Sequence, residues 1–343
     1  MNPAISSKRY FSDTKLLLFN KIEQVEHKKV SDLVSYFNQG DVLVINRSAT
    51  MPSSLIAKIK RSGEEVEIRL AAFQGKSTNT LDEWAAFIFG SGTWRDQTEN
   101  RGRPAEILKG DYLIFSDDLK AIVLEVEKKR LLKIKFFANN IVQEIYKSGR
   151  PIQYSYLQEE LGIWDQQSIF GTTPVSVEPP SASFVFNWEL YFNLKKKGVK
   201  IVSLVHSAGI SSSGDEELDK LLPLSEFYEV PAKTLDIVRK TKKKRDKKVV
   251  ALGTTVLRAL ESSFRSGKLT GLANIKITPE YEIQSVDALF SGMHEPETSH
   301  MKILKSFCSL DILNKGYAEA IEMNYLGHEY GAVSLLDCRC HRK

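Results

Sequence analysis

Residues 249–262 read VVALGTTVLRALES. Val249, Val250, Ala251 and Leu252 form a short apolar run of the kind found in a buried strand. Gly253 permits a tight turn, and Thr254 and Thr255 can cap a helix that continues through Leu257, Leu260 and Phe264. A strand that feeds directly into a helix gathers unpaired backbone N–H groups and the positive end of the helix dipole at the turn. A carboxylate, a phosphate or a ribose hydroxyl can be held there. The unit is common in α/β proteins, so it speaks for a fold class sooner than for an activity.

Outward from this unit, the chain after about Pro151 alternates helix-like runs (NWELYFNL, AKTLDIVRK) with apolar strand-like runs (VKIVSLV, VVAL), the pattern of an α/β unit with parallel pairing. Between Leu55 and Ala138 the pattern differs. LIAKIKRS, EEVEIRLAAF, EWAAFIFGSG, DYLIFS and KAIVLEVEKKRLLKIKFF are short β-type runs punctuated by Gly63, Gly75, Gly92, Gly102 and Gly110, which predicts a small barrel or sandwich. The predicted fold class is therefore mixed α/β. Residues 1–56 and 153–343 form an α/β catalytic-type domain, and 57–152 an inserted β-rich domain.

A chain of 343 residues, 42% hydrophobic and 27% charged, is long enough for two cores. Lys8, Arg9, Asp13, Lys15, Lys21 and Glu23 interrupt every early apolar run, and no run reaches the length of a membrane span, so a soluble, cytoplasmic protein without a membrane partner is expected. Three cysteines are too few for a disulfide framework and suit a reducing compartment. The terminal CRCHRK places Cys338, Cys340 and His341 close together, but without the paired ligand spacing of structural zinc, so no metal is predicted. Walker, dinucleotide and HExxH motifs are absent from the sequence.

The net charge of +5 is moderate, and its distribution is more informative. RKTKKKRDKK, from Arg239 to Lys248, lies between a predicted helix and the strand VVAL, and LKKKGVK lies between NWELYFNL and the next strand. Should those strands be parallel neighbours, the two clusters share one sheet edge and make a surface for a polyphosphate backbone, with Lys242, Lys243, Lys244 and Arg245 as candidate RNA contacts. The alternative is that these side chains only satisfy helix C-termini and keep loops solvated.

Six segments carry a resemblance: GTTVLRALES, VDALFSGMHEP (286–296), SEFYEVP (225–231), GDVLVINRSATMPSSL (40–55), VEPPSASFVF (177–186) and YAEAIEMNYLGHEYGAVSLL (317–336). As a set they resemble the S-adenosylmethionine:tRNA ribosyltransferase-isomerases of queuosine biosynthesis, from about Ser12 to Leu336. His206, Asn46, Gln167, Asp287, His294 and Pro296 match residues of the family's blocks. Val185 and Leu224 stand where the family has histidines, Arg47 and Ala49 where it has Asp and Arg, and Gly292 where it has Asn.

The resemblance implies transfer and isomerisation of the ribosyl part of S-adenosylmethionine onto a 7-aminomethyl-7-deazaguanine in tRNA, giving epoxyqueuosine and releasing adenine and methionine. Such chemistry needs a base for a proton beside the sulfonium, donors for the departing adenine and a carboxylate near the cationic sulfur. On this reading Asp287, His294 and His206 handle protons, and Ser181, Thr254 and Thr255 contact S-adenosylmethionine. Arg258 and Glu261 orient them, with Asn46 and Gln167 also binding substrate. The partners implied are tRNA and S-adenosylmethionine, the latter as ribosyl donor, with a monomer favoured. Two alternatives stay open at this point: a paralogue that uses S-adenosylmethionine with another acceptor, and a noncatalytic RNA-binding protein.

Overall fold

The computed structural model describes residues 1–6, 13–20, 24–90, 92, 95–96, 101–153, 157, 159–293 and 299–337. His294, Cys338, Cys340 and His341 lie outside the described residues.

The chain builds one large mixed sheet and one closed barrel. The sheet has nine strands in the order β16 (Thr270–Ala273), β14 (Glu226–Glu229), β13 (Lys200–His206), β3 (Val42–Asn46), β15 (Val249–Leu252), β17 (Ala288–Gly292), β18 (Val333–Asp337), β1 (Lys15–Phe19) and β2 (Val25–Lys29). The central four, β13-β3-β15-β17, run parallel, with Lys200 and Val249 both in register with Val42. The flanking pairs β13–β14, β14–β16, β17–β18 and β1–β2 are antiparallel.

Both faces of the central strands are covered, which is why they read as unbroken apolar runs. Val42, Val44, Val249, Ala251 and Leu289 face a core shared with α5 (Ala232–Lys242), α6 (Thr254–Ser266) and α8 (Leu310–Glu322). Leu43, Ile45, Val250, Leu252 and Phe290 face the opposite core, closed by α1 (Leu33–Tyr36), α3 (Trp188–Lys196) and the 3-10 turn Ser181–Val185. Among the described residues no helix is long and apolar enough to cross a membrane.

The β-rich region closes on itself. β5 (Ser54–Ile59), β6 (Glu65–Phe73), β7 (Glu83–Phe89), β10 (Leu131–Phe137), β9 (Lys120–Glu127) and β8 (Tyr112–Ile114) pair antiparallel in that order, and β8 pairs back onto β5. A barrel removes exposed strand edges, and its interior holds Ile68, Trp84, Ile134 and Phe136, which the register places on one face of the strands. Helix α2 (Ile141–Ser148) and the short β11 (Gly149–Arg150), which pairs with β5, return the chain beside its starting strand. A small two-stranded sheet, β4 (Ser48–Thr50) with β12 (Thr173–Ser176), sits between barrel and large sheet.

The segment after β13, which includes the one-turn helix α4 (Glu216–Asp219), packs against the barrel. Ile210 N–H donates to Ala71 O at 2.9 Å, Gln74 Nε2 donates to Ser225 O at 3.0 Å, and Phe73 meets Phe227 edge-on at 5.4 Å. Gly209 lets the backbones come this close: a Cβ there would sit 2.6 Å from Ala71 O.

Candidate active site

In an open α/β sheet the ligand crevice lies outside the carboxyl ends of the parallel strands. Here that edge carries Asn46 at the end of β3, His206 at the end of β13, Gly253 after β15 and Gly292 at the end of β17. Gly253 has φ +98°, a conformation that a side chain disfavours, and it starts α6 with no side-chain cap on the first turn. The 3-10 turn Ser181–Val185 packs beside it, with Ala182 Cβ 3.7 Å from where a Gly253 Cβ would lie. Thr255 Oγ1 and Ser183 Oγ are buried there without a hydrogen-bond partner among the described residues.

His206 is fully buried, and neither ring nitrogen has a hydrogen-bond partner among the described residues. Its backbone is held on both sides by Asn46: His206 N–H donates to Asn46 Oδ1 at 3.0 Å, and Asn46 Nδ2 donates to His206 O at 2.9 Å. Glu226, from the neighbouring β14, brings its Oε2 to 3.5 Å from His206 Nε2. That carboxylate accepts from Arg258 on α6 through Oε2 and from Gly209 N–H, at 2.6 Å, through Oε1. Arg258 also donates to Ala273 O at 3.2 Å. Helix α6 therefore presents a guanidinium, β14 a carboxylate and β13 an imidazole to one buried point.

A second imidazole, His300 on α7 (Ser299–Leu304), feels the same pair of charges. Burial pulls both histidines down to about 4; Glu226 opposes this and Arg258 adds to it. Both rings are thus neutral near pH 7. The unfolded chain titrates histidine near 6.5, so between about pH 6.5 and 4 it binds more protons than the folded chain. Stability is expected to fall as pH drops through that window. His206→Gln should make this fall shallower in urea midpoints taken from pH 7 to 4.5; an unchanged slope would show that His206 titrates normally when folded.

The remaining predicted residues occupy different places. Thr254 and Thr255 open α6 at the mouth, and Ser181 opens the adjacent turn. Gln167 forms a two-point clamp on the Thr50 backbone, Nε2 to O at 2.8 Å and Thr50 N–H to Oε1 at 3.1 Å. Glu261 is fully buried two turns further along α6. It accepts from Gln284 N–H, Ser285 N–H, Ser285 Oγ, Tyr281 OH and Arg265, anchoring the loop that leads into β17.

Asp287 precedes β17 and so lies at the opposite edge of the sheet from His206. Its carboxylate takes Lys242 Nζ at 2.6 Å and Val249 N–H at 2.8 Å. Lys242 is correspondingly turned inward, whereas Lys243, Lys244 and Arg245 are exposed on the loop before β15. Because β13, β3 and β15 are parallel neighbours, this loop and the end of α3 carrying Lys195–Lys197 share that amino-terminal edge. Ser183 and His300 are groups of this site that sequence reasoning does not single out, and Glu226 is legible there only as part of the SEFYEVP segment, without a role. The spacing of Glu226 and Arg258, 32 positions apart, carries no local signal of their contact.

Over residues 4–336 the chain matches the family model described as queuosine biosynthesis protein. The S-adenosylmethionine:tRNA ribosyltransferase-isomerase of Thermotoga maritima is 29% identical over 330 residues, covering 94% of this chain and 91% of that one. That of a Sulfurihydrogenibium species is 27% identical over 327 residues, with the same coverage. The crystal structure of S-adenosylmethionine tRNA ribosyltransferase from Thermotoga maritima aligns with a TM-score of 0.51 at 24% identity, across 97% of this chain and 94% of that one, a likeness of fold. The family match runs through the sheet, the barrel and every element that meets at His206: the chain belongs to the queuosine biosynthesis protein family.

Proposed function

We propose that the chain is an S-adenosylmethionine:tRNA ribosyltransferase-isomerase, moving the ribosyl part of S-adenosylmethionine onto a 7-aminomethyl-7-deazaguanine in tRNA with release of adenine and methionine. The observation that carries the chemistry is the fully buried His206, whose ring nitrogens have no hydrogen-bond partner among the described residues, beside the Glu226–Arg258 pair. An unsatisfied buried polar group is costly, which suits a place where a ligand completes the bonding.

In this reading the neutral His206 accepts the proton beside the sulfonium. Glu226 balances the imidazolium that results, as a carboxylate does for a catalytic histidine generally. The same carboxylate offers a negative charge to the cationic sulfur, and Arg258 and the Gly209 N–H fix its orientation. Thr255 Oγ1, Ser183 Oγ and the uncapped N–H groups of α6 supply hydrogen bonds for the adenosyl part. Asn46 acts by holding the His206 backbone, and Gln167 by holding β4.

The test is mass spectrometry of purified protein incubated with S-adenosylmethionine and tRNA carrying the deazaguanine precursor, following adenine and the modified nucleoside together. Both products are expected, and adenine without modified tRNA would point to another acceptor. RNA binding by the exposed loop has its own expected result: replacing Lys243, Lys244 and Arg245 with Ala should make the dependence of log affinity on log salt shallower by roughly 0.7–0.9 for each phosphate that is no longer neutralised. An unchanged salt slope would remove the loop from the RNA surface.

A further inference from the structure

Helix α3 has two apolar sides: one is buried in the core, and the other touches it only through the half-buried Tyr191, which lies 6.2 Å from the Phe170 ring. Leu190 and Leu194 are buried against the sheet. Trp188, Tyr191 and Phe192, at the i, i+3, i+4 spacing of another stripe, form a contiguous cluster, with ring centroids 5.3–6.1 Å apart. Trp188 is 55% and Phe192 60% exposed. The stripe continues into Lys195, whose Nζ lies 5.6 Å from the Tyr191 ring centroid, and Lys196, both exposed.

Position gives the stripe its meaning. α3 begins directly after the 3-10 turn that flanks Gly253, and it ends four residues before Lys200 starts β13 at the amino-terminal edge. Over about 13 Å, at about 1.5 Å per residue, it connects the mouth of the site to the basic edge. Lys200 and Val249 flank Val42 in register, so the strand that follows α3 and the strand that follows the loop bearing Lys243, Lys244 and Arg245 start about two strand spacings, or roughly 10 Å, apart on this edge.

We propose that this stripe is a stacking platform for unpaired bases of the RNA substrate, with Trp188 and Phe192 carrying bases and Lys195 and Lys196 the adjoining phosphates. The proposal rests on the reading of the protein as a tRNA-modifying enzyme. Flat aromatic faces interleaved with cations are what a single strand requires: base–aromatic contacts tolerate any sequence, and lysines follow the backbone. The stripe offers no aliphatic side chain and one acid, Glu189, against a run of lysines, a charge balance suited to a polyanion.

The experiment measures labelled tRNA binding by anisotropy, across a salt series, for the full chain and three variants, alongside S-adenosylmethionine binding. Trp188→Ala with Phe192→Ala is expected to weaken tRNA binding at least tenfold while leaving the salt slope and S-adenosylmethionine binding unchanged. Trp188→Phe, which keeps a stacking face, should stay within about twofold. Lys195→Ala with Lys196→Ala should make the salt slope shallower by about one to two.

Unchanged tRNA affinity in the aromatic double variant overturns the platform, and so does an unsubstituted chain that binds no tRNA. Sedimentation showing a dimer that the aromatic variant dissolves also overturns it, since a second copy then covers the stripe. Adenine release by the unsubstituted chain reports separately on the proposed reaction: tRNA bound through the stripe without turnover sinks that reading and leaves the platform standing.

Discussion

Replacing Glu226 with Gln is expected to lower turnover about a hundredfold or more, the scale on which loss of proton-transfer support is felt. The amide keeps the size of the side chain and can still accept the Gly209 N–H. The charge that meets Arg258 and lies 3.5 Å from His206 Nε2 is gone. An imidazolium at His206 then has no carboxylate to balance it. The same change strands the mostly buried Arg258 guanidinium, and breaking one side of a buried ion pair costs about 3–5 kcal/mol. Adding Arg258→Gln separates the two effects: removing the stranded charge should recover much of the stability and none of the turnover. Urea midpoints and adenine release per folded molecule check this, and a double variant that regains turnover would reduce Glu226 to a folding role.

Asp287→Asn should produce a stability loss of the same order with the opposite functional result. Lys242, with 9% of its side chain exposed, loses the negative charge facing it at 2.6 Å, so a cost of about 3–5 kcal/mol is expected. The site is at the other end of the parallel strands, so turnover per folded molecule should remain within about twofold. Denaturant midpoints together with single-turnover assays at low temperature would decide the matter. A hundredfold loss in fully folded protein would return Asp287 to the reaction.

The contrast between these two acids shows which part of the molecule is legible from sequence. The strand, turn and helix of 249–266 can be read locally, because periodicity, a glycine with positive φ and threonines at the helix start are all contiguous. The β-rich run likewise announces a barrel or sandwich, and its closure through β5–β8 is the long-range fact that sequence does not display. His206 is readable as a residue at the end of an apolar strand. Asp287 is equally conspicuous, but whether it belongs to the mouth depends on strand direction: in a strand parallel to β15, a residue before the strand and a residue after it lie at opposite edges. Glu226 looks like one member of an alternating strand. It becomes the hub of the site only because β14 pairs antiparallel to β13 and α6 lies beneath both, contacts separated by tens of residues.

The chain leaves for the barrel at Ser54 and comes back at Arg150, residues that sit opposite each other in the β5–β11 ladder. As connectivity, this is a closed handle that could be excised or exchanged with a short splice. As packing it is nothing of the kind, because Ala71 of the barrel holds the Ile210 N–H one residue beyond Gly209, and Gly209 in turn holds the Glu226 carboxylate. A transplanted barrel of the same topology would have to reproduce one particular peptide carbonyl to within a few tenths of an ångström. The handle and the sheet are thus separable modules on paper and a single inheritance in practice: drift in one must be matched by drift in the other.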